Sequence, residues 1–405
     1  MNAPESILSS KYTDAALGGE VSLALEILGR LKDGALTVSL PNGREYLLGD
    51  GTTRAALSVN DLSMFAQTFA RGDIGFAESF IRGEWDTDQL ADLLTLLGDN
   101  RAVIERALYG NWWRLIAYRL HHLLRANTKA GSKRNITAHY DLGNAFYALW
   151  LDPTMTYSSA LFADGMSDLA EAQRNKYRRI LKELKVQPGD TVLEIGCGWG
   201  GFAEVAITEF GVKLRGLTLS PSQLEWAQRR AAEGGWANQA EFVLRDYRDE
   251  RERFDHIVSI EMFEAVGKRY WPQYFRQVHD LLKPHGRAVV QVITIDDNLF
   301  KRYVRGTDFI QRYVFPGGML PSPSVFRAQS AAAGLTVLED IAFGLDYART
   351  LALWHEAFDR QAEAVRAQGF DEQFIRLWKF YLAYCEAGFR AGSTDVHQYT
   401  LGRGA

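Results

Sequence analysis

The stretch Val192–Gly201, with the sequence VLEIGCGWGG, decides the fold. It begins with a short apolar run typical of a buried strand, and glycines follow at 196, 198 and 201 in the pattern G-x-G-x-x-G. Residues without a Cβ atom let a ligand approach main-chain amides at the start of a helix. Dinucleotide-binding proteins and methyltransferases both use this turn, so the motif alone leaves both classes open.

The residues around the turn favour a ligand with a cationic amino group over a pyridine nucleotide. A pyridine-nucleotide site expects an acidic residue about 20 positions further on, where this chain has Arg215-Gly216-Leu217-Thr218. Because Arg215 could contact a 2′-phosphate, the sequence does not exclude a dinucleotide that carries one. Glu194, which precedes the glycines, suits a cationic amino group.

From Asp168 onward, strand and helix patterns alternate. The predicted strands are Thr191–Ile195, Lys213–Leu219, Glu241–Leu244, Phe254–Ile260, Arg287–Ile295 and Leu335–Phe343, and the predicted helices include Pro221–Glu233, Trp271–Leu282 and Ser322–Ala333. Such alternation predicts an α/β fold with a mostly parallel, Rossmann-like sheet covered on both faces. We expect residues 296–321 and the helical stretch 348–390 to cap the ligand edge of this sheet.

The amino-terminal part has a different pattern. Residues 1–95 predict a small α+β domain, with a hairpin built from Ala35–Leu40 and Arg44–Leu48 around Asn42-Gly43. Helices are predicted at Leu62–Ala70 and Asp88–Leu97. Residues 96–135 form a basic, aromatic helix and linker, and residues 136–405 form the second domain.

The segment from Arg101 to Arg134 is strongly basic. It contains eight Lys or Arg residues against one acidic residue, Glu105, together with Trp112 and Trp113. Basic residues with interfacial aromatic residues on a helix are typical of a membrane-surface element. A solvated helix packed on its neighbour explains the same residues, and both interpretations stay open.

Composition excludes several classes of protein. Apolar residues make up 47% of the chain and charged residues 24%, which is typical of a globular protein. No apolar run reaches the ~20 residues needed to span a bilayer. With only two cysteines, Cys197 and Cys385, we expect a cytoplasmic protein without a disulfide framework. The formal net charge of −4 argues against nucleic-acid binding.

Five separated motifs resemble the cyclopropane-fatty-acid synthase family, which uses S-adenosylmethionine. They are Ile136–Phe162, the glycine turn, Phe254–Phe275, Phe309–Ser322 and Phe343–Leu351. The resemblance runs from about residue 130 to Arg390 and implies a methyltransferase domain with a helical cap over a lipid site. Residues 60–95 resemble the amino-terminal region of the bacterial synthases more weakly, with a sterol-carrier-like match, which implies lipid binding by the small domain.

The resemblance also implies the residues that bind the cofactor. Tyr157 and Ser158 would close over S-adenosylmethionine, and Gly196 and Gly198 would approach its methionine part. The ribose side would be Thr218, Leu219 and Gln223, and the adenine side Asp246, Tyr247 and Ile260. Gln223 has a second explanation, because Ser220-Pro221-Ser222-Gln223 is also a helix capping box.

In the family, a bound bicarbonate is the base that removes a proton after methyl transfer to a cis double bond. The matching positions are Glu264, Tyr347, Gln291, the backbone at Ile293, and Ser159. Glu264 would accept the bicarbonate hydrogen, while Tyr347 and Gln291 would donate to its oxygens. Cys385 matches a family cysteine sometimes proposed as catalytic, although its position on an apolar helix face favours a small core residue.

Two positions depart from the family. Position 159 is usually Cys and is Ser here, and position 291 is usually His and is Gln here. Both replacements keep a hydrogen-bond donor, but Gln cannot become cationic as His can. The sequence therefore leaves open whether bicarbonate binds and whether the product is a cyclopropane or a methyl- or methylene-branched chain.

The leading hypothesis is an enzyme that adds a one-carbon unit to an unsaturated phospholipid acyl chain at the inner face of the membrane. A small-molecule methyltransferase acting on amines is the alternative, because some amine N-methyltransferases share these motifs. A non-catalytic lipid- or cofactor-binding protein is disfavoured by Glu264 and Tyr347. A homo-oligomer is left open.

Overall fold

The computed structural model describes residues 18–52, 54–110 and 142–403. The chain forms two compact units, one from residues 1–135 and 369–391, the other from residues 136–368 and 392–405. Most of the basic segment that the sequence analysis singled out, including Trp112 and Trp113, lies outside the described residues. No helix in the described ranges is both long and apolar enough to cross a membrane.

The first unit contains a four-stranded sheet with the order β2-β1-β3-β4. Its strands are β1 (Ala35–Ser39), β2 (Glu45–Gly49), β3 (Arg54–Val59) and β4 (Trp85–Asp86), and its helices include α1 (Gly19–Leu28), α2 (Ser63–Arg71), α3 (Asp73–Ile81), α4 (Leu90–Asp99) and α5 (Arg101–Gly110). The predicted hairpin is confirmed, because β1 and β2 pair antiparallel and Gly43 has a φ of +81°. Lipid binding by this unit stays a prediction.

The second unit contains a seven-stranded sheet with the order β10-β11-β9-β8-β5-β6-β7. Its strands are β5 (Thr191–Ile195), β6 (Lys213–Thr218), β7 (Ala240–Leu244), β8 (Phe254–Ile260), β9 (Leu282–Ile295), β10 (Leu335–Ala342) and β11 (Thr394–Arg403). Strands β5 to β9 run parallel, whereas β11 is antiparallel to both neighbours. The predicted α/β class and mostly parallel sheet are confirmed.

Helices cover both faces of this sheet. They are α6 (Asn144–Tyr147), α7 (Leu169–Leu184), α8 (Gly201–Phe210), α9 (Pro221–Glu233), α10 (Trp271–Leu281), α11 (Asp297–Tyr303), α12 (Phe309–Tyr313), α13 (Pro323–Ala332), α14 (Gly344–Arg360) and α15 (Ala362–Ala367). Buried side chains of α7, α8 and α9 form the core on one face, and those of α10 and α13 form it on the other. Both faces are thereby filled, so a ligand must bind at the edge formed by the carboxyl ends of the parallel strands.

The last strand, β11, was not predicted. It is almost fully buried, but its inward residues include His397, Gln398 and Thr400. Because polar side chains interrupt the apolar pattern, hydrophobic periodicity does not reveal this strand. Its position between β9 and β10 brings Gln398 directly opposite Gln291.

The predicted second domain, residues 136–405, requires a correction near its carboxyl-terminal end. Residues 369–391, which contain α16 (Glu372–Arg390), cluster with the first unit rather than the second. Arg376 on α16 donates to the carbonyl oxygens of Phe80 at 2.6 Å and Trp85 at 3.0 Å. The predicted cap 348–390 is therefore divided, and only its α14 and α15 part belongs to the second unit.

We expect Arg376→Met to loosen the first unit without affecting the large sheet. The carbonyls of Phe80 and Trp85 would lose a charged donor, at a cost of about 1–3 kcal/mol. Hydrogen exchange should accelerate in residues 73–86 and 372–390 and stay unchanged in the strands of the second unit. Arg360→Met is the control, because that side chain is 69% exposed. Equal acceleration in both units would contradict the division.

Candidate active site

The glycine turn after β5 has the geometry of a ligand cradle. Gly196 and Gly198 have φ angles of +87° and +51°, which L side chains rarely adopt. A Cβ at Gly196 would lie 3.0 Å from the Met262 side chain. The amides of Gly196 and Cys197 both donate to the carbonyl of Leu217, at 3.0 and 2.8 Å. The turn is therefore held against β6, with its backbone open to a ligand.

Glu194 places a buried carboxyl group beside this turn. The residue is 3% exposed, and its Oε2 has no hydrogen-bond partner among the described residues. Burial raises the pKa of Glu194 well above its usual range, and the Lys176 ammonium opposes that rise. A buried carboxylate oxygen without a partner is costly, and a cationic amino group of a ligand would satisfy it. The residues present thus fit the methionine end of S-adenosylmethionine.

The predicted ribose side lies at the end of β6. Thr218 Oγ1 donates to Gln223 Oε1 at 2.8 Å, and the Gln223 amide donates to Ser220 Oγ at 3.3 Å. Only half of the predicted capping box is formed, because the Ser220 amide donates to Thr218 Oγ1 instead of to Gln223. Leu219 is 71% exposed.

The predicted adenine side lies at the carboxyl ends of the next strands. Asp246 follows β7 and pairs with Arg248 through both carboxylate oxygens, at 2.9 and 2.6 Å, which lowers the pKa of Asp246. The Tyr247 ring packs edge-on against Tyr274, with 5.5 Å between the ring centroids. Ile260 is the half-buried last residue of β8. The tertiary structure brings these residues to one edge, as the resemblance implied.

Tyr157 and Ser158, the residues expected to close over the cofactor, are held by contacts with buried side chains. The Tyr157 ring packs on Trp150 and Trp354, with centroid distances of 5.6 and 5.3 Å. Ser158 Oγ accepts from Lys176 Nζ at 2.6 Å. Lys176 is fully buried on α7, and burial lowers its pKa to about 7, with Glu261 the strongest opposing influence. His139-Tyr140-Asp141, near the start of the Ile136–Phe162 motif, lies outside the described residues.

Glu261, which the sequence analysis did not single out, is the centre of the site. Its Oε1 accepts from the Ser159 amide at 2.9 Å and from Gln291 Nε2 at 2.7 Å, and its Oε2 accepts from the Tyr347 hydroxyl at 2.6 Å. The residue has a φ of +49°, a strained conformation for a side chain other than glycine. Such strain persists where the surroundings impose it, and it is common in active sites.

The residues expected around bicarbonate are brought together, with different partners. Tyr347 and Gln291 donate to Glu261 rather than to a shared space beside Glu264. Ser159 contributes its amide, while its hydroxyl donates to the Ala160 carbonyl. A role of the Ser159 hydroxyl as a donor to a bound anion therefore stays a prediction.

Glu264 has fewer donors than Glu261. The Ile293 amide donates to Glu264 Oε1 at 2.6 Å, whereas Glu264 Oε2 is buried with no partner among the described residues. The carbonyl of Glu264 accepts from the Met319 amide at 2.9 Å, which ties this residue to the chain after α12.

Comparisons with known proteins identify the family of the chain. The model of the mycolic acid cyclopropane synthetase family matches residues 127–399. The chain belongs to this family. It is 39% identical over 369 residues to a tuberculostearic acid methyltransferase of Mycobacterium tuberculosis, covering 87% of this chain and 86% of the relative. It is 34% identical over 358 residues to the cyclopropane-fatty-acyl-phospholipid synthase of Escherichia coli, covering 88% and 90%.

A solved structure of the same family confirms the fold of the second unit. The mycolic acid cyclopropane synthase CmaA1, complexed with SAH and CTAB, matches with a TM-score of 0.63 and 34% identity, covering 66% of this chain and 97% of that one. The chain is thus a methyltransferase of the cyclopropane synthetase family that uses S-adenosylmethionine, and the expected enzyme class and cofactor are confirmed.

Burial raises the pKa of both site carboxyl groups, but their surroundings differ. Around Glu261, the Lys176 ammonium and the donors Tyr347, Gln291 and Ser159 oppose the rise. Burial and the negative charge of Glu261 raise the pKa of Glu264 to about 8, so Glu264 is protonated near neutral pH. The hydrogen-bond donors therefore favour the ionised form at Glu261 more than at Glu264, and different surroundings of two close acids are typical of acid–base sites.

Cys385 and Glu261 show where the sequence analysis was incomplete. Cys385 lies half-buried on α16, in the first unit, whereas the other predicted catalytic residues belong to the second. Its catalytic role stays a prediction. Glu261 was missed because site roles were assigned only to positions that match those of the resembled family, and position 261 was not among them. The available signal was a second acidic residue directly after β8, in SIEMFEAVG.

We expect Glu264→Gln to become relatively more stable than the wild type as pH rises. The pKa of Glu264 is about 8 in the folded protein against 4.5 in the unfolded chain. Between these values only the native state holds the proton, so wild-type stability falls with rising pH, by up to about 1.4 kcal/mol per pH unit. Gln imitates the neutral acid and removes this dependence.

Urea unfolding of the two proteins from pH 5 to pH 8 measures the effect. Glu363→Gln is the matched control, because that side chain is 90% exposed and should leave the slope unchanged. A stability difference between Glu264→Gln and the wild type that stays constant over this range would show that Glu264 is already ionised.

Proposed function

We propose that the chain transfers a one-carbon unit from S-adenosylmethionine to the cis double bond of an unsaturated phospholipid acyl chain and leaves a methylene-branched chain. The observation that carries the proposal is the Glu261 carboxylate with its three donors, Tyr347, Gln291 and the Ser159 amide. Methylation of an alkene leaves a cation that must lose a proton. A buried carboxylate held in its ionised form is a suitable acceptor for that proton.

The bound cofactor supplies an electrophilic methyl group. The π electrons of the double bond form the new C–C bond as the bond from methyl to sulfur breaks, and positive charge develops on the neighbouring chain carbon. A hydride shift moves this charge to the methyl-bearing carbon. Glu261 then accepts a proton from the methyl group, and the C–H electron pair becomes the methylene double bond. Without the shift, loss of the same proton would close a cyclopropane.

An aromatic cluster includes Tyr347, whose hydroxyl donates to Glu261, the proposed proton acceptor. The ring of Tyr347 lies 6.2 Å from that of Trp354, and Trp354 lies 5.3 Å from Tyr157, measured between centroids. The negative faces of such rings stabilise a cation. Their apolar bodies also exclude water, which would otherwise add to the cation.

Two observations support an internal base in place of bicarbonate. The side-chain donors that the family resemblance implied for the anion, Tyr347 and Gln291, are already engaged with Glu261. Gln291 is neutral at every pH, so the strongest positive field at the site comes from Lys176. A second bound anion beside Glu261 would be repelled without gaining a new cation.

The names of the relatives support a lipid substrate and a methylated product. One is a tuberculostearic acid methyltransferase, at 39% identity over 87% of this chain, and another a cyclopropane-fatty-acyl-phospholipid synthase, at 34% over 88%. The higher identity is with the protein named a methyltransferase, which favours a branched product over a ring. A phospholipid substrate in turn favours peripheral association with the inner face of the membrane.

We expect the purified protein to transfer label from methyl-labelled cofactor to vesicles of unsaturated phosphatidylglycerol. Each modified acyl chain should gain the mass of one CH₂, and its proton spectrum should show vinylidene protons rather than upfield ring protons. Vesicles with saturated chains are the control. Ring protons in the spectrum would show that the product is a cyclopropane instead of a methylene-branched chain. Transfer only to soluble amines would reject the lipid substrate.

We expect Glu261→Gln to lower turnover by about 10²–10⁴, the usual contribution of a positioned base, while S-adenosylmethionine affinity changes less than about twofold. Removing bicarbonate from the buffer should leave the wild-type rate unchanged, because the acceptor belongs to the chain. Isothermal titration and the vesicle assay measure the two effects, with Glu363→Gln as control. A wild-type rate that falls when bicarbonate is removed and recovers when it is added back would instead assign proton acceptance to the external anion.

A further inference from the structure

We propose that Arg179, acting through Gln398, is a positioning residue that forces Gln291 to donate its hydrogen bond to Glu261. Arg179 does not touch Glu261, and it would act only by setting the direction of a hydrogen-bond chain. The proposal rests on the proposed function, in which Glu261 accepts the proton. It adds Arg179, at the far end of a buried relay of hydrogen bonds, to the residues that position the reacting group.

The relay consists of three successive hydrogen bonds in the second unit. Arg179 Nη1 on α7 donates to Gln398 Oε1 at 2.8 Å. Gln398 Nε2 on β11 donates to Gln291 Oε1 at 2.9 Å. Gln291 Nε2 on β9 donates to Glu261 Oε1 at 2.7 Å. Both glutamines are fully buried, and the register of the sheet places them directly opposite each other.

The direction of the relay follows from the chemistry of its first member. A carboxamide can present either its oxygen or its nitrogen to a neighbour, but a guanidinium has five donors and no acceptor. Arg179 therefore requires the oxygen of Gln398, which leaves the Gln398 nitrogen for Gln291. Gln291 must then accept with its oxygen and donate with its nitrogen. If the relay ran in the opposite direction, the Gln291 oxygen would face a Glu261 oxygen. Glu261 would then have to be protonated, so that it could donate a hydrogen bond to Gln291.

Arg179 is itself held in place. Its Nη2 donates to Glu339 at 2.9 Å, and its side chain is only 18% exposed. Arg179 matters to the direction of the relay because residue 291 is a glutamine. A neutral carboxamide can present either end to Glu261, and Arg179, which can only donate, sets its direction from the far end of the chain of bonds. The Ser159 carbonyl, 3.5 Å from Gln291 Nε2, favours the same direction.

The experiment reverses the relay with Gln398→Glu. An ionised Glu at position 398 accepts from Arg179 and also from the Gln291 nitrogen, so the Gln291 oxygen turns toward Glu261. We expect Glu261 to take up a proton at pH 7, which infrared spectroscopy detects as a new protonated-carboxyl band without any substrate. The acidic limb of kcat/KM on phospholipid vesicles should move upward by at least about one pH unit, with recovery at higher pH.

Matched variants separate the relay from other causes. The band should be absent in Gln398→Glu combined with Glu261→Gln, because position 261 then has no acid to protonate. Glu339→Gln removes a charge beside Arg179 but keeps an oxygen that can accept from it, so the relay is kept and the variant should show neither the band nor the shifted limb. Arg179→Met removes the anchor from a partly exposed position, and it should give a weaker band even if Gln398→Glu does not fold.

The outcomes distinguish this proposal from the proposed function. No new band in Gln398→Glu and Arg179→Met, or a band that persists without Glu261, overturns the relay and leaves the proposed function standing. A band that depends on Glu261, with an unchanged rate on vesicles at pH 7, supports the relay but removes Glu261 as the base.

Discussion

The whole site depends on one constraint, which is that a carboxylate at position 261 must be satisfied inside the protein. Burial opposes its charge, and three hydrogen-bond donors together with the buried Lys176 ammonium offset that cost. The donors come from three separate parts of the second unit: Ser159 in the lid segment, Gln291 on β9 and Tyr347 on α14. The site therefore forms only when the sheet and its covering helix have both folded.

This constraint also explains the division of roles between two close acids. A negative charge on Glu261 makes a second one on Glu264 unfavourable, and the hydrogen bond from the Ile293 amide does not compensate. Glu264 is therefore held neutral near neutral pH, whereas the donors around Glu261 favour its ionised form. The cofactor edge is separate in its chemistry, because backbone amides, the Thr218–Gln223 pair and Glu194 prepare it for a ligand with an amino group and hydroxyls.

Much of the fold and of the cofactor edge could be predicted from sequence, because local patterns carry that information. The glycine turn, the strands from Thr191 to Ile295 and the hairpin at Gly43 follow from periodicity and turn chemistry. Strand β11 could not be predicted in this way, since Gln398 and Thr400 are polar although buried, and the partners of Gln398 are distant in the chain. The membership of α16 in the first unit is equally a matter of long-range contacts such as that between Arg376 and Phe80.

The sequence by itself determined the family, the cofactor and the set of residue types that meet at the ligand edge. Only the tertiary structure decided which of them touch. Tyr347 and Gln291 are named by the motifs, but their common partner Glu261 and the direction of its hydrogen bonds come from residues far apart in the chain, 86 and 30 positions from it. Hydrogen-bond direction depends on the three-dimensional order of donors and acceptors, and a linear pattern of residue types does not contain that order.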